Sequence, residues 1–357
     1  MNQATSKRIK ELLEASGLIS NAKKESKVDF DCDFSNETIL VTGAAGTIGS
    51  ALARHIIHCK YKSIILLDNA ESPLYYLEKE LERHSKKDIS FIVTDIRDEA
   101  SMQEVFESFQ PTVVFHTAAY KHVPLMESNA YEAVKLNIFG TKILADLAIL
   151  NNTKKFIFIS TDKAVNPVSV MGMTKRIAER YLNALNTQQK TSFLITRFGN
   201  VLGSNGSLIP VFKKQMDDGR PLTITSKTVS RYFININKAS NLILKIASTA
   251  SWNHHMFTFN MGEPIKIINL AKIFVSEYGP HQQKHFEIEI IGLRPGEKLH
   301  EDLVSNNETL IPTIHEDIFY VIPKKETKVL NLDLKSLQNI TPSFKNHEIK
   351  SLLAELI

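Results

Sequence analysis

Two short stretches carry side chains able to move protons. Ser160-Thr161-Asp162-Lys163 sets a hydroxyl, a carboxyl and an amine side by side, and Met171 and Lys175 follow shortly after. A carboxylic acid can protonate a departing oxygen and an amine can take a carbon-bound proton, provided that burial keeps the acid protonated and the amine neutral for part of a cycle. Lys175 lies four residues past Met171, so the two share one helix face. The thioether of Met171 is a weak acceptor with no proton to give or take. Asp162 and Lys163 are thus an adjacent pair able to exchange protons, or more plainly a surface ion pair or an Asp-initiated turn.

A second set of residues suits a nucleotide. The apolar run ETILVTG leads into Gly43-Ala44-Ala45-Gly46-Thr47-Ile48-Gly49 and then into SALARHII. Glycines there allow a tight turn, close approach of backbone N–H groups to a pyrophosphate, and close helix–strand contact. The helix start adds free N–H donors and the positive end of a dipole. Gly43, Ala45, Gly46, Thr47, Ile48 and Gly49 are expected to line a dinucleotide site. Asp68 closes the next apolar run, SIILLDN, nineteen residues beyond Gly49. A carboxylate there would bond both ribose hydroxyls of NAD and repel the 2′-phosphate of NADP; its plain alternative is a solvated turn residue. Asp95 and Ile96 follow the third run and are placed to meet an adenine. Ala118 and Ala119, after the fourth, are small enough to let a cofactor lie against the backbone.

Positioning these groups requires a regular scaffold, and the chain alternates accordingly. ETILVTG, SIILLDN, ISFIVTD, TVVFHTAA, KFIFIST and SFLITRFGN read as buried strands. Helical patterns separate them, among them SALARHIIHC, SPLYYLEKELERH, SMQEVFESF, YEAVKLNIFGTKILADLAIL and TKRIAERYLNAL. That rhythm predicts an α/β fold with a Rossmann-like, doubly wound parallel sheet. After Asn200 the pattern breaks at Gly203, Gly206, Pro210, Gly219 and Pro221, which predicts a smaller mixed C-terminal substrate-binding lobe. Residues 1–36 read as an N-terminal helix (6–18) with a linker at Asn21–Lys27. Residues 37–200 read as the dinucleotide-binding domain with the catalytic segment, and 201–357 as the smaller lobe and tail, whose end (305–357) shows no legible chemistry.

Composition narrows the class further. The chain has 357 residues, 43% hydrophobic and 23% charged, which is ordinary for a globular protein. A net charge of +4 without a long basic run gives no sign of nucleic acid binding. Cys32 and Cys59 have no metal-ligand spacing and suit a reducing cytoplasm rather than a disulfide scaffold, and the 12 histidines form no HExxH-like pair, so no metal is expected. No uncharged apolar stretch reaches the roughly 18 residues of a membrane span.

With these segments in hand the chain resembles the extended short-chain dehydrogenase/reductases, and within them the bacterial polysaccharide-biosynthesis UDP-N-acetylglucosamine 4,6-dehydratases. The matching segments are VTGAAGTIGS, VFHTAAYKHVPLMESN, ISTDKAVNPVSVMGMTKR, TRFGNVLGSNGSLIPVF, SRYFI and GLRPGEKLHEDL, across about residues 38–303. Met171 occupies the position that holds the superfamily's catalytic tyrosine. Many relatives of this methionine-bearing branch carry membrane-spanning helices ahead of the domain, and the present sequence resembles their catalytic portion alone, naturally short or excised.

The resemblance implies NAD as cofactor, UDP-N-acetylglucosamine as substrate, and three steps: oxidation at C4, loss of water across C5–C6, and reduction at C6. It assigns Asp162 as the acid at O6, Lys163 as the base at C5, and Lys175 as a partner of the nicotinamide ribose. Thr161, directly or through water, is the candidate relay for the C4 hydroxyl proton, with Asp162 as the rival acceptor. Asn200, Arg231 and Arg294 are expected at phosphate, Glu297 at the uridine ribose, and Lys121 and His122 at the sugar. Methionine at position 171 accompanies retention at C5 in this branch. A C5-inverting dehydratase, a UDP-sugar 4-epimerase and a catalytically silent NAD-binding scaffold are the alternatives; the Asp162-Lys163 pair speaks against the last two. Self-association through surface helices is also expected.

Overall fold

A computed structural model describes residues 3–15, 32–82, 88–186, 190–279, 286–325 and 332–357. Six apolar runs become β1 (Asp33–Thr42), β2 (Lys60–Asp68), β3 (Ile89–Val93), β4 (Val113–His116), β5 (Lys155–Ile159) and β6 (Ser192–Arg197). Three later strands join the same sheet: β7 (Met256–Phe259), β8 (Glu308–Pro312) and β9 (Ile318–Pro323). The order across the sheet is β8-β9-β7-β6-β5-β4-β1-β2-β3. Every pairing from β3 to β7 is parallel, whereas β9 runs antiparallel to both β7 and β8.

Continuous apolar runs arise because both faces of the parallel sheet are covered. Side chains alternate across a strand, so Ile39 and Val41 enter one core with Leu52, Ile56 and Ile243, while Leu40 enters the other with Phe106, Leu144 and Phe156. Strand order reverses between β1 and β4, and the crevice past their C-terminal ends is where ligands bind in such sheets. Gly43 leaves β1 and Thr117 leaves β4 at that point.

Beyond β6 the chain builds the smaller lobe and then returns to the sheet through β7, β8 and β9. The lobe has its own core, in which Phe212, Leu222, Ile224 and Phe274 meet Ile9 and Leu13 of the N-terminal helix. That helix spans Gln3–Ala15; positions 16–18 of the expected helix and the linker Asn21–Lys27 lie outside the described residues. Arg8 fastens it by donating to the carbonyls of Met261 and Glu263.

The helical run expected at 131–150 is interrupted. Ala130–Val134 and Thr141–Leu150 flank a π-helical turn, Lys135–Gly140. Asn137 within that turn accepts from the Tyr120 N–H and donates to the Tyr120 carbonyl and Thr174 Oγ1, at 2.9–3.0 Å. Such a bulge re-aims side chains within a helix and recurs beside functional sites. It anchors Tyr120, ahead of Lys121 and His122, to the helix Val170–Leu185 that carries Lys175.

Candidate active site

β5 ends at Ile159, and Thr161 caps a single 3₁₀ turn, Asp162–Ala164, at the sheet's C-terminal edge. Asp162 is fully buried. Its Oδ1 accepts from Thr161 Oγ1 at 2.9 Å and from Lys163 Nζ at 2.9 Å, while Oδ2 has no hydrogen-bond partner among the described residues. Lys163 Nζ also reaches Asn200 Oδ1 at 3.2 Å and lies 3.8 Å from Glu301 Oε1. Hydroxyl, carboxyl and amine thus form one connected cluster rather than a solvated surface pair. Asn200, expected at phosphate, faces Lys163 in this arrangement.

The following helix is pressed onto this turn. A Cβ on Gly172 would lie 2.3 Å from the Lys163 carbonyl oxygen, so only glycine lets the helix start approach so closely. Ser169 caps that helix by accepting from the Gly172 N–H at 3.1 Å. Met171 is 3% exposed and packs in a cluster with Ile138, Ile177 and Leu353. It fills space and contributes no proton, so any acid–base work belongs to the neighbouring groups.

Lys175 is buried, with Nζ 3.8 Å above the centre of the Phe158 ring. Desolvation brings its pKa down to about 7, although the Glu179 charge opposes the shift. His116, held between Thr42 Oγ1 and Thr141 Oγ1 at 2.8 and 2.9 Å, is kept neutral by burial and secondarily by Lys175. Beneath the site, Ser160 Oγ donates to Glu179 at 2.6 Å; Arg197 pairs with Glu179 at 2.6 Å and with Glu308 at 2.9 Å. This paired network ties the end of β5, ahead of Asp162 and Lys163, to the sheet.

On the nucleotide side, Gly43 has φ +68°, and a Cβ there would meet Ala118 N at 2.6 Å. A Cβ on Gly49 would lie 2.2 Å from the Gly43 carbonyl. Gly43 therefore lies against the Thr117-Ala118 backbone, and Gly46 and Gly49 close the turn against Gly43, the tight geometry that a dinucleotide cradle requires. Asp68 accepts from Ala45 N–H and Ala70 N–H, each at 2.9 Å, which holds the loop to β2. Further lone pairs on that carboxylate suit ribose hydroxyls. Asp95 is paired with Arg97, which also binds Glu132, and the Ile96 side chain packs against Gly140 in the core, so its backbone is what it can offer an adenine.

The opposite side, where Lys121 and His122 are expected to meet a sugar, is assembled from three segments. Asn205 donates its N–H to Thr47 Oγ1 at 3.1 Å and accepts from Lys121 Nζ at 2.9 Å. The neighbouring Gly206, with φ +67°, sits against the His122 ring. The 205–206 loop thereby joins the glycine turn to Lys121 and His122, a link with no single-residue signature in sequence. Arg231 is buried and donates to the carbonyls of Ser230, Lys298 and Leu299 as well as to Glu297 Oε1 at 3.1 Å. Glu297 also accepts from Thr225 and Arg294. Arg231 and Glu297 hold each other and shape the 294–301 turn, whereas the Arg294 fork is half exposed. Glu301, not singled out from sequence, is the buried carboxyl that this turn brings to Lys163.

Among the described residues, no cluster of three His, Cys, Asp or Glu side chains could hold a metal ion, and no helix is long and apolar enough to cross a membrane.

Comparison with known proteins gives the family. The chain is 44% identical over 290 residues to the capsular polysaccharide biosynthesis protein CapD of Staphylococcus aureus, covering 80% of the chain and 48% of the relative. It thus spans about half the length of this relative and of the probable polysaccharide biosynthesis protein EpsC of Bacillus subtilis. It is 31% identical over 296 residues to a UDP-N-acetylglucosamine 4,6-dehydratase (inverting) of Campylobacter jejuni, covering 81% of the chain and 84% of the relative. The fold is shared with the dTDP-glucose 4,6-dehydratase DesIV of Streptomyces venezuelae, solved with NAD bound, at TM-score 0.66 and 20% identity over 74% of this chain and 88% of that one. A family model described as polysaccharide biosynthesis protein matches residues 39–323, and the chain belongs to that family.

Proposed function

We propose that this protein is an NAD-dependent UDP-N-acetylglucosamine 4,6-dehydratase that retains configuration at C5 and supplies a UDP-4-keto-6-deoxy amino sugar for surface glycan synthesis. The observation that carries the reading is the Thr161–Asp162–Lys163 cluster around the buried Asp162 carboxyl, with two 2.9 Å hydrogen bonds converging on its Oδ1. An epimerase oxidises and reduces the same carbon and has no use for an acid–base pair at C5–C6.

Gly43, Gly46 and Gly49 form the cradle for the cofactor pyrophosphate, Asp68 accepts from its adenosine ribose, and buried Lys175 is suited to its nicotinamide ribose. When bound, NAD+ supplies the reversible redox step between C4 and C6. The remaining work is proton transfer, and it balances on the residues present. Thr161 passes the C4 hydroxyl proton along its hydrogen bond to Asp162. Asp162 delivers that proton to the departing C6 oxygen, which leaves as water. Lys163, as the amine, takes the proton from C5 and returns one to C5 after the double bond is reduced. One water leaves and every group ends as it began. Electrostatic alignment of a buried acid and an adjacent, partly buried base at the reacting atoms supplies the rate enhancement.

Retention at C5 rests on Met171 in place of a tyrosine; the related Campylobacter enzyme carries the inverting description. The test is incubation with UDP-N-acetylglucosamine in deuterated water, followed by NMR of the product. A 4-keto-6-deoxy sugar with deuterium at C5 and unchanged C5 configuration is expected. The inverted C5 sugar would refute retention, and UDP-N-acetylgalactosamine would refute dehydration.

A further inference from the structure

Glu301 is a buried carboxyl to which the mechanism above gives no task. It is 7% exposed, its Oε1 lies 3.8 Å from Lys163 Nζ, and its Oε2 has no hydrogen-bond partner among the described residues. The charged and titratable groups facing it are Lys163, Asp162, Arg231 and Lys298, the last at 3.9 Å. Its position is fixed by its surroundings: Arg231 binds the carbonyls of Lys298 and Leu299, and Lys298 Nζ donates to the Val165 carbonyl at 2.8 Å. The segment bearing Glu301 is thereby pinned to the turn bearing Asp162 and Lys163.

The proton count above starts from the amine form of Lys163, and that form has to be reached from an ion pair. In the resting arrangement Lys163 Nζ forms a salt bridge with Asp162 Oδ1 at 2.9 Å, and C4 oxidation delivers the substrate's hydroxyl proton to Asp162. Lys163 must then lose its own proton before it can act on C5, and Asp162 is already filled. We infer that Glu301 is the positioning residue that takes the ammonium proton of Lys163 during elimination and returns it when the cycle closes. The N–H bond of Lys163 breaks, an O–H bond forms on Glu301, and the charge of the pair is conserved. Closing the 3.8 Å gap to charge-assisted hydrogen-bond range requires Nζ to shift by about 1 Å. Burial raises the proton affinity of Glu301, the nearby Asp162 adds to it, and Lys163, Arg231 and Lys298 pull the other way. This inference rests on the dehydratase reading.

Two measurements test it, one of them independent of that reading. Carboxyl ¹³C NMR of glutamate-labelled protein, with Glu301 assigned by loss of its signal in Glu301→Gln, should show a midpoint above the ordinary carboxylate range, rising further in Lys163→Met. An ordinary midpoint, or one indifferent to Lys163, would overturn the inference whether or not the protein is a dehydratase. In turnover, folded Glu301→Gln should still oxidise C4 and accumulate reduced cofactor, with C5 exchange slowed about a hundredfold at neutral pH and recovering as the pH rises and solvent removes the ammonium proton. Wild-type exchange at every pH, or equal loss of oxidation and exchange with no recovery, would overturn it. A wild-type protein that oxidises C4 without exchanging C5 would instead sink the dehydratase reading and leave Glu301 to the titration.

Discussion

Gly172→Ala isolates the part that packing plays in the proposed chemistry. The new methyl group would sit 2.3 Å from the Lys163 carbonyl oxygen, well inside the 3.0 Å that real Cβ contacts respect. Relief requires the helix start and the Asp162-Lys163 turn to separate by about 0.7 Å, the difference between those distances. Overpacking of this kind costs about 1–3 kcal/mol, and alanine in place of glycine in a helix returns about 1 kcal/mol. The net loss is at most about 2 kcal/mol, so the melting temperature should fall by less than about 8 °C for a chain of this size. Activity should suffer far more. A displacement approaching 1 Å at reacting groups costs up to about a hundredfold, so C5 proton exchange should drop between about tenfold and a hundredfold while NAD affinity stays unchanged. Stopped-flow absorbance of reduced cofactor, deuterium exchange by NMR and fluorescence titration of NAD measure the three quantities. Gly49→Ala is the counterpart, because its methyl group would collide with the Gly43 carbonyl at 2.2 Å and should abolish NAD binding first. Gly172→Ala with exchange within twofold of wild type would refute the claim that this contact positions Lys163.

Three further outcomes follow from the geometry. Thr161→Val removes the hydroxyl bonded to Asp162 and should slow C4 oxidation about a hundredfold, read as transient reduced cofactor; an unchanged rate would leave Asp162 as the direct acceptor. Lys175 has a pKa of about 7 in the fold against its ordinary 10.5. The unfolded chain binds the extra proton between those values, so cofactor-free stability should rise with pH from about 7 towards 10, and Lys175→Met should flatten that rise in urea melts. Arg197→Met strands the buried Glu179 and Glu308 carboxyls and should cost about 3–5 kcal/mol in denaturant unfolding, with the site lost through the fold rather than through chemistry.

The six parallel strands were legible because burial on both faces makes runs such as Ile39-Leu40-Val41 apolar without alternation. The tight glycine turn was legible because its constraint is local: Gly43 and Gly49 meet atoms of their own turn and of the end of β4. Asp162 and Lys163 stand adjacent in sequence and in space, so their pairing could be read directly. What escaped the sequence depends on distant partners. The π-helical turn inside 131–150 exists because Asn137 bonds Tyr120 and Thr174, which no helical periodicity encodes. Arg231 looked like a phosphate fork by residue type, yet its donors serve the Lys298 and Leu299 carbonyls and Glu297. Glu301 lies within GLRPGEKLHEDL, but only the folded turn brings it to Lys163. The return of β7, β8 and β9 to the large sheet is likewise a matter of topology, invisible in a lobe whose strands are short and broken by turns.

The most direct test of dehydration by this site uses UDP-N-acetylglucosamine carrying deuterium at C4, with product analysed by NMR and mass spectrometry. The account predicts a 4-keto-6-deoxy product with that deuterium at C6, and no such product from Asp162→Asn. Deuterium that remains at C4 of a sugar still bearing its C6 hydroxyl would contradict it.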